Sequence, residues 1–250
     1  MAKDKKSPEE TEEGLPIWMA TFADMMTLLF AFFVLLFSMA TIDPVKVSAM
    51  QDAMIENTEG SGERTSSKKM MSVSQIKENL EDIIDSLDLG DDASISSDPR
   101  GVVLEIDGDI CFPSLSSDLD LRFIALLREV TAQVMSHPYD KRTVIIEGHS
   151  DSDPIRPDQS YHKNPAVKAI EVWRTNRHLS AARASEVVEF LVDSMSINPG
   201  RLVAAGYGEF WPYGASWNEV KGGIVDNGYI ANANSTLDQR NKNRRVKIIF

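Results

Sequence analysis

Residues 17–42 read IWMATFADMMTLLFAFFVLLFSMATI, 26 residues with one charged side chain, Asp24. At about 1.5 Å rise per residue, a helix of this length spans roughly 39 Å, more than the ~30 Å hydrocarbon core of a bilayer. Met25 to Ile42 alone is an uncharged run of 18 residues. Trp18 stands where an interfacial anchor would, and Asp43-Pro44 ends the helix on the far side. The stretch predicts a membrane-spanning helix. A cleaved signal peptide is the competing reading, with Ser38-Met39-Ala40 as its cleavage site. Signal peptides carry a basic leader and a shorter apolar run. Here residues 1–16 hold three Lys against five acids, and Asp24 interrupts the apolar entry, so a retained span is preferred.

On the N-terminal side, residues 1–16 form a polar tail punctuated by Pro8, Gly14 and Pro16. Lys3, Lys5 and Lys6 precede the span and Lys46 alone follows it closely. This charge asymmetry predicts an N-terminus in the cytoplasm and the large C-terminal part outside, which is the periplasm if the cell is Gram-negative. Residues 45–58 carry Val45, Ala49, Met50, Ala53 and Met54 at helical spacing and predict a short amphipathic helix. Residues 59–72 are Gly/Ser-rich and read as a linker. Val73, Ile76, Leu80, Ile83, Ile84 and Leu87 predict a further helix ending by Gly90. Residues 43–98 carry a net charge of −8, most of the −12 of the 250-residue chain.

Residues 99–250 read as a near-neutral α/β domain. Strands are predicted at 101–107, 143–147, 201–205 and 245–250. Helices are predicted at 119–135, with Leu121, Ile124, Leu127, Val130 and Val134 as its apolar stripe, and at 179–195. The acidic balance argues against nucleic acid as a partner. One cysteine, Cys111, excludes an internal disulfide framework and any multi-Cys metal site, and reads as a small buried apolar residue. No cofactor is implied.

Two groups of residues carry chemistry. Asp24 lies about seven residues into the span, where a charged carboxylate costs a few kcal/mol. Such groups face a protein cavity or an ion pathway, exchanging a proton or coordinating Na⁺. Thr21 and Thr27 share its helix face. Their hydroxyls either complete a cation shell or bond back to helix carbonyls. One helix cannot line a pore, so Asp24 implies oligomerisation or a multi-spanning partner. The second group is Gly148-His149-Ser150-Asp151 after a strand, Asn176 and Arg183 at the start of a helix, and Arg244 before the last strand. A carboxylate and a guanidinium facing one pocket suit a zwitterionic amino acid, Asp151 for its ammonium and Arg183 for its carboxylate. An Asp151–Arg183 salt bridge tethering loop to helix is the equal alternative. A catalytic reading of His149, Ser150 and Asp151 has neither a nucleophile elbow nor a metal-ligand pair behind it, and no enzyme is expected.

The segment 14–36, GLPIWMATFADMMTLLFAFFVLL, resembles the transmembrane segment of the MotB/PomB family, the B-subunits of bacterial flagellar stators. That resemblance implies that Asp24 is the ion-binding carboxylate. It also implies that residues 44–58 are a plug helix, and that the partners are a MotA/PomA-like multi-spanning subunit and a second copy of the chain. Phe22, the Gly-Leu-Pro entry and Phe-Phe-Val-Leu-Leu resemble sodium-type PomB more than proton-type MotB. The motifs at 148–151, 179–184, 206–209 and 243–246 resemble the OmpA-like peptidoglycan-binding domain over residues 100–250. By that resemblance Asp151 and Arg183 grip the diaminopimelate of the stem peptide, with Asn176 and Arg244 in supporting positions. The stretches 151–176 and 211–243 are longer than is usual in that family, and Trp173 is not where the family's Asn-Trp sits. The resemblance thus implies a single-pass inner-membrane protein with a 17–42 span, a plug and linker over 43–98 and an OmpA-like domain over 99–250. With so short a linker, reach to the wall would come from rearrangement within 59–98. A passive OmpA-like wall anchor and a TolR/ExbD-like envelope energy coupler are the rival readings.

Overall fold

The computed structural model describes residues 16–39, 71–137, 140–155 and 173–250. The plug assigned to 44–58 and most of the long stretch after Asp151 lie outside the described residues. The chain divides into two units, Met1–Ile42 and Asp43–Phe250.

In the first unit, helix α1 runs Ile17–Met39. Pro16 precedes it, where a missing N–H costs nothing. Trp18–Leu36 has a mean hydropathy of 2.0 and is long and apolar enough to cross a membrane. Large apolar side chains point outward all round the helix, from Trp18 and Phe22 to Phe33 and Leu36. A helix apolar on every side belongs in lipid or against other helices.

The second unit is a five-stranded mixed sheet with helices against it. Its elements are α2 (Val73–Ser86), β1 (Ala93–Asp98), β2 (Gly101–Asp107), α3 (Gly108–Cys111), α4 (Leu121–Val130), β3 (Val144–His149), α5 (Asn176–Asp193), β4 (Leu202–Gly208), α6 (Trp217–Lys221), α7 (Asn227–Ala233), α8 (Leu237–Asn243) and β5 (Arg245–Ile249). A π-helical turn, Thr131–Met135, extends α4. The strand order is β1-β2-β5-β3-β4. Only β3 and β4 run parallel, joined by the α5 crossover; β1–β2, β2–β5 and β5–β3 are antiparallel. Alternation on β2 and β5 sends Leu104, Ile106, Val246 and Ile248 into one core with Phe123, Leu127, Val187 and Leu191 from the helices.

Two expectations are corrected here. The domain does not begin at residue 99. Ser72 caps α2 in a reciprocal capping box with Gln75, and Ile76, Leu80 and Ile83 are buried in the core of the sheet. Strand β1, read from sequence as part of the linker, closes the sheet edge as a hairpin with β2. Residues 73–98 are therefore domain, which leaves less of 59–98 free to supply reach. Ser94, Ser96 and Ser97 hid β1, because an edge strand needs no apolar face. The second correction concerns α4. Leu121 is 81% exposed, and Phe123 and Leu126 fill the core in its place. Asp120 caps the helix by accepting from the Arg122 N–H, and this start turns Leu121 to solvent. Cys111 is fully buried, and burial pushes its thiol pKa well up.

Two glycines bring α5 down onto the sheet. A Cβ on Gly148 would stand 2.2 Å from the Ser180 carbonyl oxygen, and one on Gly206 2.4 Å from the Ala181 nitrogen. Only glycine permits that approach, and it sets the N-terminal half of α5 beside the loop that leaves β3.

Candidate functional site

On α1, Asp24 is the lone charge in an apolar helix. The Thr21 hydroxyl donates to the Trp18 carbonyl at 2.9 Å, and the Thr27 hydroxyl to the Asp24 carbonyl at 2.8 Å. Both threonines thus bond back to the helix, one of the two arrangements expected for them. Their oxygen lone pairs remain available as acceptors.

In the second unit, Asp151, Asn176, Arg183 and Arg244 all line one cavity of about 270 Å³. Five segments build it: α3, the loop that follows it, the loop after β3, the first turns of α5 and the residue preceding β5. The Gly108 N–H donates to the Arg244 carbonyl at 2.7 Å, and a Cβ on Gly108 would lie 2.6 Å from that same oxygen. This contact seats α3 against the start of β5.

Arg183 is buried, with its guanidinium 4.9 Å from the centre of the Phe112 ring. Its Nε donates to the Ser116 carbonyl at 2.8 Å and its Nη2 to the Pro113 carbonyl at 3.3 Å. Desolvation lowers its pKa to about 10, still far above neutral, so it remains a cation. Asp151 is also buried and pairs with Arg244, Nη1 to Oδ2 at 2.8 Å. Its Oδ1 accepts the Asp153 N–H at 3.2 Å. Among the described residues no ion pair joins Asp151 to Arg183, so the tethering salt bridge weighed from sequence is not the arrangement found. Burial alone would lower the Arg244 pKa; hydrogen bonds to Asp151 and Asp109 outweigh it and raise it.

Asn176 does a different job from its neighbours. Its Nδ2 donates to the carbonyls of Asp151 and Asp153, at 3.1 and 3.0 Å, which pins the loop to α5. It positions Asp151, and both its donors are already engaged. Sequence reading missed Phe112, the platform under Arg183, and Asp109, the second acid on Arg244. The turn Asp107-Gly108-Asp109 after a strand was the available signal.

His149 does not line the cavity. It stacks on Tyr207 at 5.5 Å and meets Trp211 edge-on at 6.1 Å. Desolvation, reinforced by Arg245, lowers its pKa to about 3, so it is neutral. Its Nε2 stands 3.6 Å from Glu147, which is itself buried and hydrogen-bonded to Arg100. The Ser150 hydroxyl donates to the Asp151 carbonyl at 3.0 Å. A His149–Ser150–Asp151 nucleophile arrangement is therefore not assembled.

A lone carboxylate in an apolar helix, followed by an α/β domain that gathers a buried acid and a buried guanidinium around one cavity, defines a membrane-tethered binding protein. Two family models match. Residues 2–57 match the MotB plug family, described as membrane MotB of the proton-channel complex MotA/MotB, and residues 111–224 match the OmpA family. The chain is 30% identical over 247 residues to the uncharacterized protein YtxE of Bacillus subtilis, covering 93% of this chain and 87% of that one. It is 23% identical to motility protein B of the same organism, covering all of this chain and 96% of that one. A solved MotB-like protein from Desulfovibrio vulgaris shares the fold with a TM-score of 0.50 at 18% identity, over 71% of this chain and 92% of that one. The chain belongs to the MotB-like proteins, with an OmpA-like domain following the membrane helix.

Proposed function

We propose that this chain is the B-subunit of a flagellar stator. It couples cation flow past Asp24 to torque and holds the complex to peptidoglycan through the cavity around Asp151 and Arg183. The observation that carries this reading is the pairing, in one chain, of a single carboxylate in an apolar helix with a cavity that presents a buried carboxylate and a buried guanidinium. Expelling a charge from water into lipid is tolerated where the charge has work to do. Two copies of the chain, with a MotA/PomA-like multi-spanning partner, would surround the Asp24 carboxylates. The N-terminus faces the cytoplasm and the domain faces the periplasm in this reading, in keeping with the Lys excess before the span.

At the cavity, Arg183 is already aligned by two carbonyls and a ring, so its remaining N–H groups meet a ligand carboxylate with little further ordering. Asp151 receives an ammonium. Together they fit the zwitterionic end of diaminopimelate in a stem peptide. Na⁺ is the coupling ion we favour, on Phe22 and the entry and exit residues of the span.

The test is swimming in a strain without its own stators, supplied with this chain and its partner, across external Na⁺ at fixed pH. Motility that requires Asp24 and rises with Na⁺ is the expected result. Motility that requires Asp24 but ignores Na⁺ makes the motor proton-driven. Motility that survives Asp24→Asn removes the carboxylate from the mechanism.

A further inference from the structure

Three depressions adjoin on the domain surface. Arg244 lines both the Asp151 cavity and a second one of about 210 Å³. Tyr213 and Lys242 line that second depression and also a third of about 390 Å³, whose walls add Tyr229, Asn232, Asp238 and Gln239. The third lies in the long 211–243 stretch, which also steadies the loop beyond Asp151, since Asn234 Oδ1 accepts the Ser152 N–H at 3.1 Å. Its volume falls in the ~300–1,000 Å³ range of small-ligand sites.

The chemistry of this third cavity differs from that of the first. Its two charged residues neutralise each other, with Lys242 Nζ 3.0 Å from Asp238 Oδ2. What remains is two phenol rings and two carboxamides. Tyr213 is half exposed yet held, because its N–H donates to Asn243 Oδ1 at 2.6 Å and the Arg245 guanidinium lies 5.7 Å from its ring centre. Asn243 is buried and also donates to the Ala233 carbonyl at 2.8 Å, which ties the walls together. A preformed, neutral cavity with aromatic faces and an amide rim suits a ring with an apolar C–H face and polar edges.

We infer that the third cavity binds the glycan of peptidoglycan, an N-acetylated neutral saccharide, beside the pocket for the stem peptide. The inference rests on the peptidoglycan reading above, and the continuity through Arg244, Tyr213 and Lys242 supplies its geometric basis. Stem peptide and sugar are covalently joined, so a surface that grips one is presented with the other. Two linked sites gain in avidity over either alone.

The test uses the full chain in nanodiscs and two separate probes, N-acetylglucosamine tetramer and a free diaminopimelate-containing stem peptide, each titrated calorimetrically. The tetramer is expected to bind wild type. Tyr213→Ala should weaken it about 3- to 10-fold, the worth of one aromatic contact, with stem-peptide affinity unchanged. Asn232→Ala, at an exposed position that leaves the fold intact, should also weaken the tetramer alone. Stem-peptide binding without tetramer binding, or tetramer binding indifferent to both substitutions, overturns the saccharide site and leaves the peptide pocket standing. Tetramer binding that responds to both substitutions without stem-peptide binding supports the saccharide site and removes the peptide reading. Binding of neither probe overturns both.

Discussion

Asp151 is paired with Arg244, at 2.8 Å, across 93 residues of sequence, while Arg183 on the same cavity is held by the carbonyls of Pro113 and Ser116. The two charges that sequence reading sets against each other are thus each held by a different group. A ligand ammonium competes with Arg244 for Asp151, whereas a ligand carboxylate meets an Arg183 that is already oriented.

Arg183→Lys keeps the cation but loses the planar fork that serves two carbonyls and a ring. Stem-peptide affinity should fall roughly tenfold or more, the worth of one charge-assisted hydrogen bond, as read by titration. Arg183→Ala should also lower the melting temperature, because the carbonyl of the buried Ser116 loses its donor. Arg244→Ala should weaken binding less than Arg183→Ala, since Asp151 keeps its Asp153 N–H contact. An equal loss would make Arg244 a direct ligand contact.

A fragment that starts at residue 71 should fold cooperatively, and one that starts at 99 should not. The shorter fragment lacks α2 and β1, which leaves the apolar residues that α2 covers open and an edge of β2 unpaired. In the full chain, Leu80→Ala should destabilise the domain by about 2–5 kcal/mol, the usual cost of removing a fully buried leucine. Chemical denaturation checks both. Cooperative unfolding of the 99–250 fragment would show that α2 is dispensable.

Stability should fall on acidification in two overlapping stages. His149 is held well below its ordinary value of 6.5, at about 3, by burial and by Arg245. Between those pH values the unfolded chain binds a proton that the folded one refuses, so stability declines as pH drops from 6.5 towards 3. Glu147 is lowered from 4.5 to about 2: burial opposes this, but the neighbouring His149 and the hydrogen-bonded Arg100 guanidinium outweigh it. Its stabilisation is full above 4.5 and is lost as pH falls through 2. His149→Phe keeps the ring stack on Tyr207 and should flatten the decline between pH 6.5 and 4 in melting temperature. An unchanged slope would assign that decline to other groups.

Gly148→Ala should act at a distance on the cavity. The new methyl group would meet the Ser180 carbonyl oxygen at 2.2 Å, so α5 must shift. We expect a loss of about 1–3 kcal/mol, as in overpacked cores. Stem-peptide binding should fall too, because Asn176 and Arg183 ride on that helix. Unaltered binding at a lowered melting temperature would mean that the cavity tolerates movement of α5.

Patterns carried by neighbouring residues were legible in advance. The apolar run around Asp24, the strand at 101–107 and the helix spacing of 73–87 each express a local period or a local absence of charge, which needs no knowledge of the rest of the chain. The candidate residues of the cavity were legible for a related reason, since strand ends and helix starts gather at one edge of an α/β layer.

Tertiary packing decided the rest. Serine-rich β1 belongs to the sheet because its backbone pairs with β2, and main-chain hydrogen bonds leave little trace in composition. Leu121 faces water and Phe123 the core because the Asp120 cap fixes where α4 begins, and a shift of one or two residues rotates every side chain. The partner of Asp151 is Arg244 because α3, β3 and β5 converge there, which distance along the chain does not encode. The membrane helix, its lone carboxylate and the α/β character of the C-terminal part are written in the sequence, because all three are properties of adjacent residues. Which charges meet, and which linker residues are core, was decided only when distant segments packed.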